Sequence, residues 1–189
     1  MTKTVEVRVK AGEMKTVPIL WFGEENQNLL VRVILDKPGS SAKVLCVFYG
    51  KHNAFHLETE VIHRAPDTFS RTLARGVLDG DASANYEGRV VIEKGAKNSD
   101  ADLSERVILL SPRARAKAIP RLEVLENEVK AGHGATVGKI DEDQLFYLAS
   151  RGLAREDAKK LIVRGFLGAL VGEFPAEEAE KINAELEKI

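Results

Sequence analysis

Apolar and polar residues alternate along most of the chain. Val5, Val7 and Val9 fall on one side of an extended backbone and Glu6, Arg8 and Lys10 on the other, the period of two expected of a half-buried strand. The same period marks residues 16–22, 29–35, 43–48, 54–63, 69–78, 85–93, 107–110 and 121–125. These runs are rich in Val, Ile, Leu, Thr and Phe. They are punctuated by Gly23, Pro38-Gly39, Gly50, Pro66-Asp67, Asp79-Gly80-Asp81 and Lys94-Gly95, the residue types that end strands and make turns. With strand centres roughly 10–14 residues apart, the pattern fits an antiparallel sandwich or barrel, and it also fits a β-solenoid whose coils stack one on the next. Two features favour the solenoid. Only Asp79-Gly80 offers a tight hairpin dipeptide, and the strands are short and joined by polar corners.

From residue 141 the period becomes helical. Asp141 with Gln144 three positions later makes a capping-box signature, in which the carboxylate accepts an orphan N–H and the amide reaches back. The helix presents Leu145 and Leu148 with Phe146 and Ala149 beside them, and Gly152 ends it. A second helix, about residues 155–170, carries Ala158, Leu161, Ile162, Gly165, Phe166 and Ala169 at spacings of three and four. Its start is weakly signalled, because Ala154 stands where a capping Ser or Asp is expected. Pro175 suits the first position of a third helix, with Ala179, Ile182, Leu186 and Ile189 as its stripe. The predicted organisation is a β core over residues 1–138 and a helical domain over 139–189.

Composition narrows the class. The chain has 189 residues, 44% hydrophobic and 30% charged, with 28 Lys+Arg against 29 Asp+Glu. That suffices for one domain with a buried core. A net charge of −1 removes the global electrostatic case for nucleic-acid binding. No apolar run approaches the ~18 residues of a membrane span, and the first residues alternate where a leader would be continuously apolar. A single cysteine, Cys46, excludes an internal disulfide and a four-thiolate cluster; a reducing, cytoplasmic setting is expected. Charge divides with the period: residues 141–189 hold seven Lys/Arg and eleven Asp/Glu, leaving residues 1–140 net positive by three.

The candidate chemistry is sparse. His56, Glu58 and Glu60 fall on one face of a strand, with His63 nearby. Imidazole with carboxylates can hold a metal, but alternation also produces such rows on a solvated face. His133 lies in Lys130-Ala131-Gly132-His133-Gly134-Ala135-Thr136-Val137-Gly138. The flanking glycines permit unusual backbone angles and leave the ring uncovered, and a neutral imidazole suits iron or zinc. Against this stands a histidine that merely caps a strand end. Cys46 sits in the apolar run Val44-Leu45-Cys46-Val47-Phe48 and reads as core filler. Neither Lys94-Gly95-Ala96-Lys97 nor any other stretch has the spacing of a nucleotide-cradling loop, so no nucleotide is expected on this chain.

The stretch His133-Gly134-Ala135-Thr136-Val137-Gly138-Lys139-Ile140-Asp141-Glu142-Asp143-Gln144-Leu145-Phe146-Tyr147-Leu148, followed by Ser150-Arg151-Gly152-Leu153, resembles the SufB/SufD family of SUF-system iron–sulfur cluster assembly scaffolds. Ala65-Pro66-Asp67-Thr68, Arg75-Gly76-Val77-Leu78, Tyr86-Glu87-Gly88, Gly95-Ala96, Asn98-Ser99-Asp100-Ala101 and Ile108-Leu109-Leu110-Ser111 extend the resemblance over roughly residues 63–170. It implies a right-handed parallel β-helix followed by helices, and a non-catalytic scaffold whose ATP hydrolysis belongs to a SufC-like ABC-type ATPase. That ATPase would engage the helical region around Asp141, Gln144, Leu145, Phe146, Tyr147, Arg151, Gly152 and Phe166. Two scaffold subunits would pair through their β-helix ends, as a homodimer or with a SufB/SufD paralogue. His133 would then be a ligand to a transient iron–sulfur cluster, with sulfur from a separate donor system. The histidine-glycine-alanine-threonine form is similar to the SufD branch. The sequence departs from the family in having Ala131-Gly132 where SufD often has Cys-Ser, and Glu105-Arg106-Val107 where the SufB assembly cysteine falls. A subunit that binds the ATPase without holding a cluster is the alternative. A metal-dependent enzyme built on His56, Glu58 and His63 is a third reading.

Overall fold

The computed structural model describes residues 2–23 and 25–189. Its strands are β1 (Lys3–Arg8), β2 (Met14–Trp21), β3 (Gln27–Leu35), β4 (Ser41–Gly50), β5 (Ala54–His63), β6 (Phe69–Leu78), β7 (Ser83–Ile92), β8 (Asp100–Leu109), β9 (Arg115–Val124) and β10 (Lys130–Lys139). Odd-numbered strands form one sheet in the order β1-β3-β5-β7-β9, even-numbered strands a second in the order β10-β8-β6-β4-β2. Every neighbouring pair is parallel. Consecutive strands therefore alternate between sheets, and the chain winds through about five coils of a parallel β-helix. Val5, Val31, Thr59, Gly88 and Pro120 stack in one column, which sets the coil at 26 to 32 residues. The solenoid reading holds, and the sandwich is excluded because no strand pairs antiparallel among the described residues.

Alternation sends one face of each strand into the space between the sheets. Val17, Ile19, Trp21, Val31, Val33, Val44, Phe48, Phe55, Leu57 and Val61 fill it. Trp21 stacks on Phe55 with ring centres 5.0 Å apart, and Phe48 meets the same ring at 5.4 Å, distances at which aromatic pairs attract. Gly76 is what admits Phe48: a Cβ there would lie 1.9 Å from the ring. The corners stack as the strands do. The N–H groups of Gly39, Asp67 and Asn98 donate to the carbonyls of Pro66, Lys97 and Glu128, each one coil on. Those three residues hold positive φ of 69°, 59° and 57°, a conformation that Gly, Asp and Asn adopt most readily.

The tail consists of α1 (Glu142–Ser150), α2 (Arg155–Gly168), a 3-10 turn at Val171–Glu173 and α3 (Ala176–Lys188). The Asp141 side chain accepts from the N–H groups of Asp143 and Gln144, which supplies the carboxylate half of the expected capping box. α2 starts without a side-chain cap, and Pro175 caps α3 from just outside it. These helices lie on the outer face of the even-numbered sheet and share a core with it: Val163, Leu167, Leu170, Phe174, Ile182 and Leu186 pack against Leu45, Val47 and Val77. Arg75 fastens the join. Its Nη1 donates to the Phe166 carbonyl at 2.6 Å, in the last turn of α2 where helix carbonyls lack an internal partner. Its guanidinium lies 5.2 Å from the Phe166 ring centre. Among the described residues no helix is long and apolar enough to cross a membrane.

Polar side chains such as Thr59, Ser70 and Thr72 are buried among the apolar ones, and a histidine and a glutamate lie with them. His63 is fully buried, with Nδ1 at 2.8 Å from Thr68 Oγ1 and Nε2 at 2.8 Å from Ser70 Oγ; burial pushes its pKa down to about 4. Glu105 is 2% exposed. Its Oε2 has no hydrogen-bond partner among the described residues, and burial pushes its carboxyl up to about 8.

Two outcomes follow for stability. Gly76→Ala should cost about 1–3 kcal/mol in urea unfolding, the usual range for overpacking, whereas Gly138→Ala, with nothing within 4 Å of its Cβ position, should cost far less; equal costs would contradict the packing described. Glu105 stays protonated in the folded chain up to about 8 but ionises near 4.5 when unfolded. Its contribution is therefore whole below 4.5, is lost as pH rises to 8, and is level beyond. Each pH unit in that window carries at most about 1.4 kcal/mol. Glu105→Gln should flatten the pH–stability curve between those values, and an unchanged curve would mean that a solvated carboxylate stands there.

Candidate functional site at the open end of the solenoid

The last coil has a neighbour on one side only. β10 pairs with β8 and β9 with β7, so each leaves a free edge of backbone donors and acceptors. Ala131, His133, Ala135 and Val137 stand in register with Ala101, Leu103, Glu105 and Val107, the inward residues of β8. On the facing strand Ala116, Ala118, Pro120 and Leu122 stand in register with Ala84, Tyr86, Gly88 and Val90. The interior thus continues into the last coil, lined mainly by small side chains, and opens to solvent. Val124, Leu125 and Val137 are 41%, 54% and 39% exposed there.

His133 is exposed at this rim, in register with Leu103 and one inward position from the column of Glu105. The glycines around it act differently from the sequence expectation. Gly132, Gly134 and Gly138 have ordinary extended φ; they occupy the outward positions of β10 and bare its outer face. Among the described residues no three His, Cys, Asp or Glu side chains converge as a metal site.

The other candidates separate. His56 and Glu58 point outward, 3.0 Å apart, with Asn85 Nδ2 3.0 Å from His56 Nδ1. Glu60 pairs with Arg32 at 2.6 Å and Arg89 at 3.0 Å. His63 points inward to Thr68 and Ser70, so a centre joining it to His56 and Glu58 is excluded by strand alternation. Cys46 is 2% exposed inside the same stack, and burial raises its thiol pKa well above the usual value, which leaves it unreactive.

On the tail, Phe146, Tyr147 and Leu161 are 76%, 57% and 51% exposed. Arg151 lies 5.3 Å from the centre of the Tyr147 ring. Asp143, Gln144, Tyr147, Leu148 and Ile162 line a shallow groove of ≈ 430 Å³. Asp141 caps α1, and Gly152 follows it with φ +92°. Two of the predicted contact residues are less accessible: Leu145 is 1% exposed and packs with Ala158, and Phe166 lies half-buried beneath Arg75. Nothing in Ser104-Glu105-Arg106 marks Glu105 as buried; only its register with Ala135 beneath the rim does.

The model of the SUF system FeS cluster assembly SufBD core domain matches residues 2–166. The iron–sulfur cluster assembly protein SufD of Bacillus subtilis is 41% identical over 123 residues, covering 65% of this chain and 28% of that protein. An iron–sulfur cluster assembly SufBD family protein of Mycobacterium leprae is 33% identical over 177 residues, covering 88% of this chain and 45% of its own length. Another of that family, from Mycobacterium tuberculosis, is 34% identical over 149 residues, covering 78% and 18%. The chain spans less than half the length of these relatives. The match over residues 2–166, which takes in the parallel β-helix, α1 and most of α2, shows that the chain belongs to the SufBD family of iron–sulfur cluster assembly proteins.

Proposed function

We propose that the chain is a non-catalytic scaffold subunit of a cytoplasmic SUF-type complex, in which a transient iron–sulfur cluster is the cargo and a SufC-like ABC-type ATPase supplies the work. The observation that carries the reading is the exposed imidazole of His133 on the inward face of an open solenoid end. The free edges of β9 and β10 and the exposed Val124, Leu125 and Val137 suit pairing with a second solenoid, another copy or a SufB/SufD paralogue. In such a pair His133 would stand at the seam as one ligand, with sulfur delivered by a separate donor. A cluster that must leave needs few and weakly held ligands, and one imidazole per chain suits that. The ATPase would dock on α1 and α2 through Phe146, Tyr147, Gln144 and Arg151, with Asp141, Leu145, Gly152 and Phe166 holding the helices in place.

One observation favours an adaptor that binds the ATPase without holding a cluster. The sole cysteine is sealed in the core, so this chain has no accessible sulfur ligand of its own. Anaerobic reconstitution with iron and sulfide separates the two readings, since the adaptor acquires no charge-transfer absorbance alone or with the ATPase.

His133→Ala should abolish cluster maturation in cells while ATPase binding and thermal midpoint stay within error; normal maturation would remove the ligand role. Phe146→Ser with Tyr147→Ser should weaken ATPase capture by at least about tenfold, the loss of a pair of exposed aromatic anchors, with little change in urea midpoint because both side chains are outside the core. Undiminished capture would move the docking surface elsewhere.

A further inference from the structure

Opposite charges meet along the outer faces of both sheets. Arg89 bonds Glu60 at 3.0 Å and Glu123 at 2.5 Å, Arg121 lies 3.2 Å from Glu87, Arg71 meets Asp100 at 2.7 Å, and Lys43 meets Glu173 at 2.5 Å. One pair departs from this. Arg75 and Arg106 stand in register on β6 and β8, on the same outward face, and among the described residues neither has a carboxylate within 4.0 Å. Arg89 and Arg121 are in register too, but each has its own carboxylate. Strands in a sheet lie about 4.8 Å apart, so two unpaired guanidiniums in register repel unless an anion lies between them.

The surroundings are arranged to receive one. Arg75 is fixed by its bond to the Phe166 carbonyl and by the ring beneath it, which leaves its other N–H groups free and already ordered. Ser104 stands two residues before Arg106 on the same face. Gly134 and Thr136 follow in register on β10, and no atom lies within 4 Å of the Gly134 Cβ position. Leu73, Ala74, Arg75, Ser104, Arg106 and Leu170 line a cavity of ≈ 140 Å³.

We propose that Arg75, Arg106 and Ser104 form an oxyanion site that binds a phosphoryl group. Two guanidiniums match a dianion, whereas a single carboxylate would neutralise only one of them, and planar N–H forks suit phosphate oxygens. The cavity has room for one tetrahedral group, so a larger ligand would insert only its phosphoryl end. The site is on the outside of the even-numbered sheet and does not depend on the role assigned to His133.

The test is calorimetric and ³¹P NMR titration of the full chain with inorganic phosphate and with phenyl phosphate, using acetate as the competing anion class. Saturable phosphate binding is expected, weakened at least about tenfold, or ~1.4 kcal/mol, by Arg106→Gln. That variant removes a side chain with no ion pair among the described residues and should fold normally; Ser104→Ala should give a smaller loss. Binding of phenyl phosphate as well means that the site takes the end of a larger ligand, and its exclusion means that the site takes the free ion; both support the assignment. No saturation by about 10 mM, unchanged affinity in Arg106→Gln, or acetate bound as tightly as phosphate would overturn it.

Discussion

A parallel β-helix is held by two backbone hydrogen-bond ladders, and a ladder has ends. Within the stack every strand satisfies donors and acceptors on both sides, so its inward residues can be Val, Leu, Ile and Phe without exposing backbone to an apolar core. At β9 and β10 one side is missing. The last coil consequently has small inward side chains, exposed apolar positions at Val124, Leu125 and Val137, and a histidine where deeper coils carry Leu103 and Thr72. The candidate site is a consequence of the ladder's end: the one imidazole that could serve a transient cargo stands where the interior meets solvent.

The helical tail answers a second demand of the same architecture. A sheet whose outward residues are Leu45, Val47 and Val77 must be covered, and α2 and α3 cover it. Arg75 joins the cover to the sheet by accepting the job of an end cap for α2, with its guanidinium against Phe166. Because β10 runs into α1 within three residues, the rim with His133 and the exposed aromatic face of α1 are mechanically adjacent. A force applied to the tail by a partner would reach β10 through the chain itself, and β4 and β6 through the core that α2 and α3 share with them.

The legible part of the fold was the part with one buried face. β2 to β7 alternate Val, Leu, Ile and Phe with polar residues, and the tail helices show Ala158, Ile182 and Leu186 at helical spacing. Val44-Leu45-Cys46-Val47-Phe48 is apolar on both faces, the mark of a strand covered on both sides. The coil period stayed hidden because stacking requires only an inward apolar residue at each level, and 26- to 32-residue coils carry no repeated identity. Sandwich and solenoid therefore look alike in one coil's pattern; the scarcity of hairpin dipeptides tilts the choice towards the solenoid, and the resemblance to SufB/SufD decides it. β10 carries no strand signal, since Lys130-Ala131-Gly132-His133-Gly134 follows no alternation of apolar and polar residues. The pattern marks only the end of β9, because Pro120 interrupts the strand, which an edge strand tolerates. The glycines beside His133 permit unusual backbone angles, but the extended strand uses none. Glu105 is ordinary in sequence and becomes unusual only when register places it inside the stack.

In the proposed complex one end of the solenoid pairs subunits while the tail holds an ATPase. The mass of the complex recovered when the full chain is co-expressed with an ABC-type ATPase of the SufC kind tests both halves at once. The expected result is an assembly of two solenoid subunits with two ATPase subunits, stable through size exclusion and resolved by native mass spectrometry. A monomeric chain free of ATPase, or a one-to-one complex that never pairs, would contradict it.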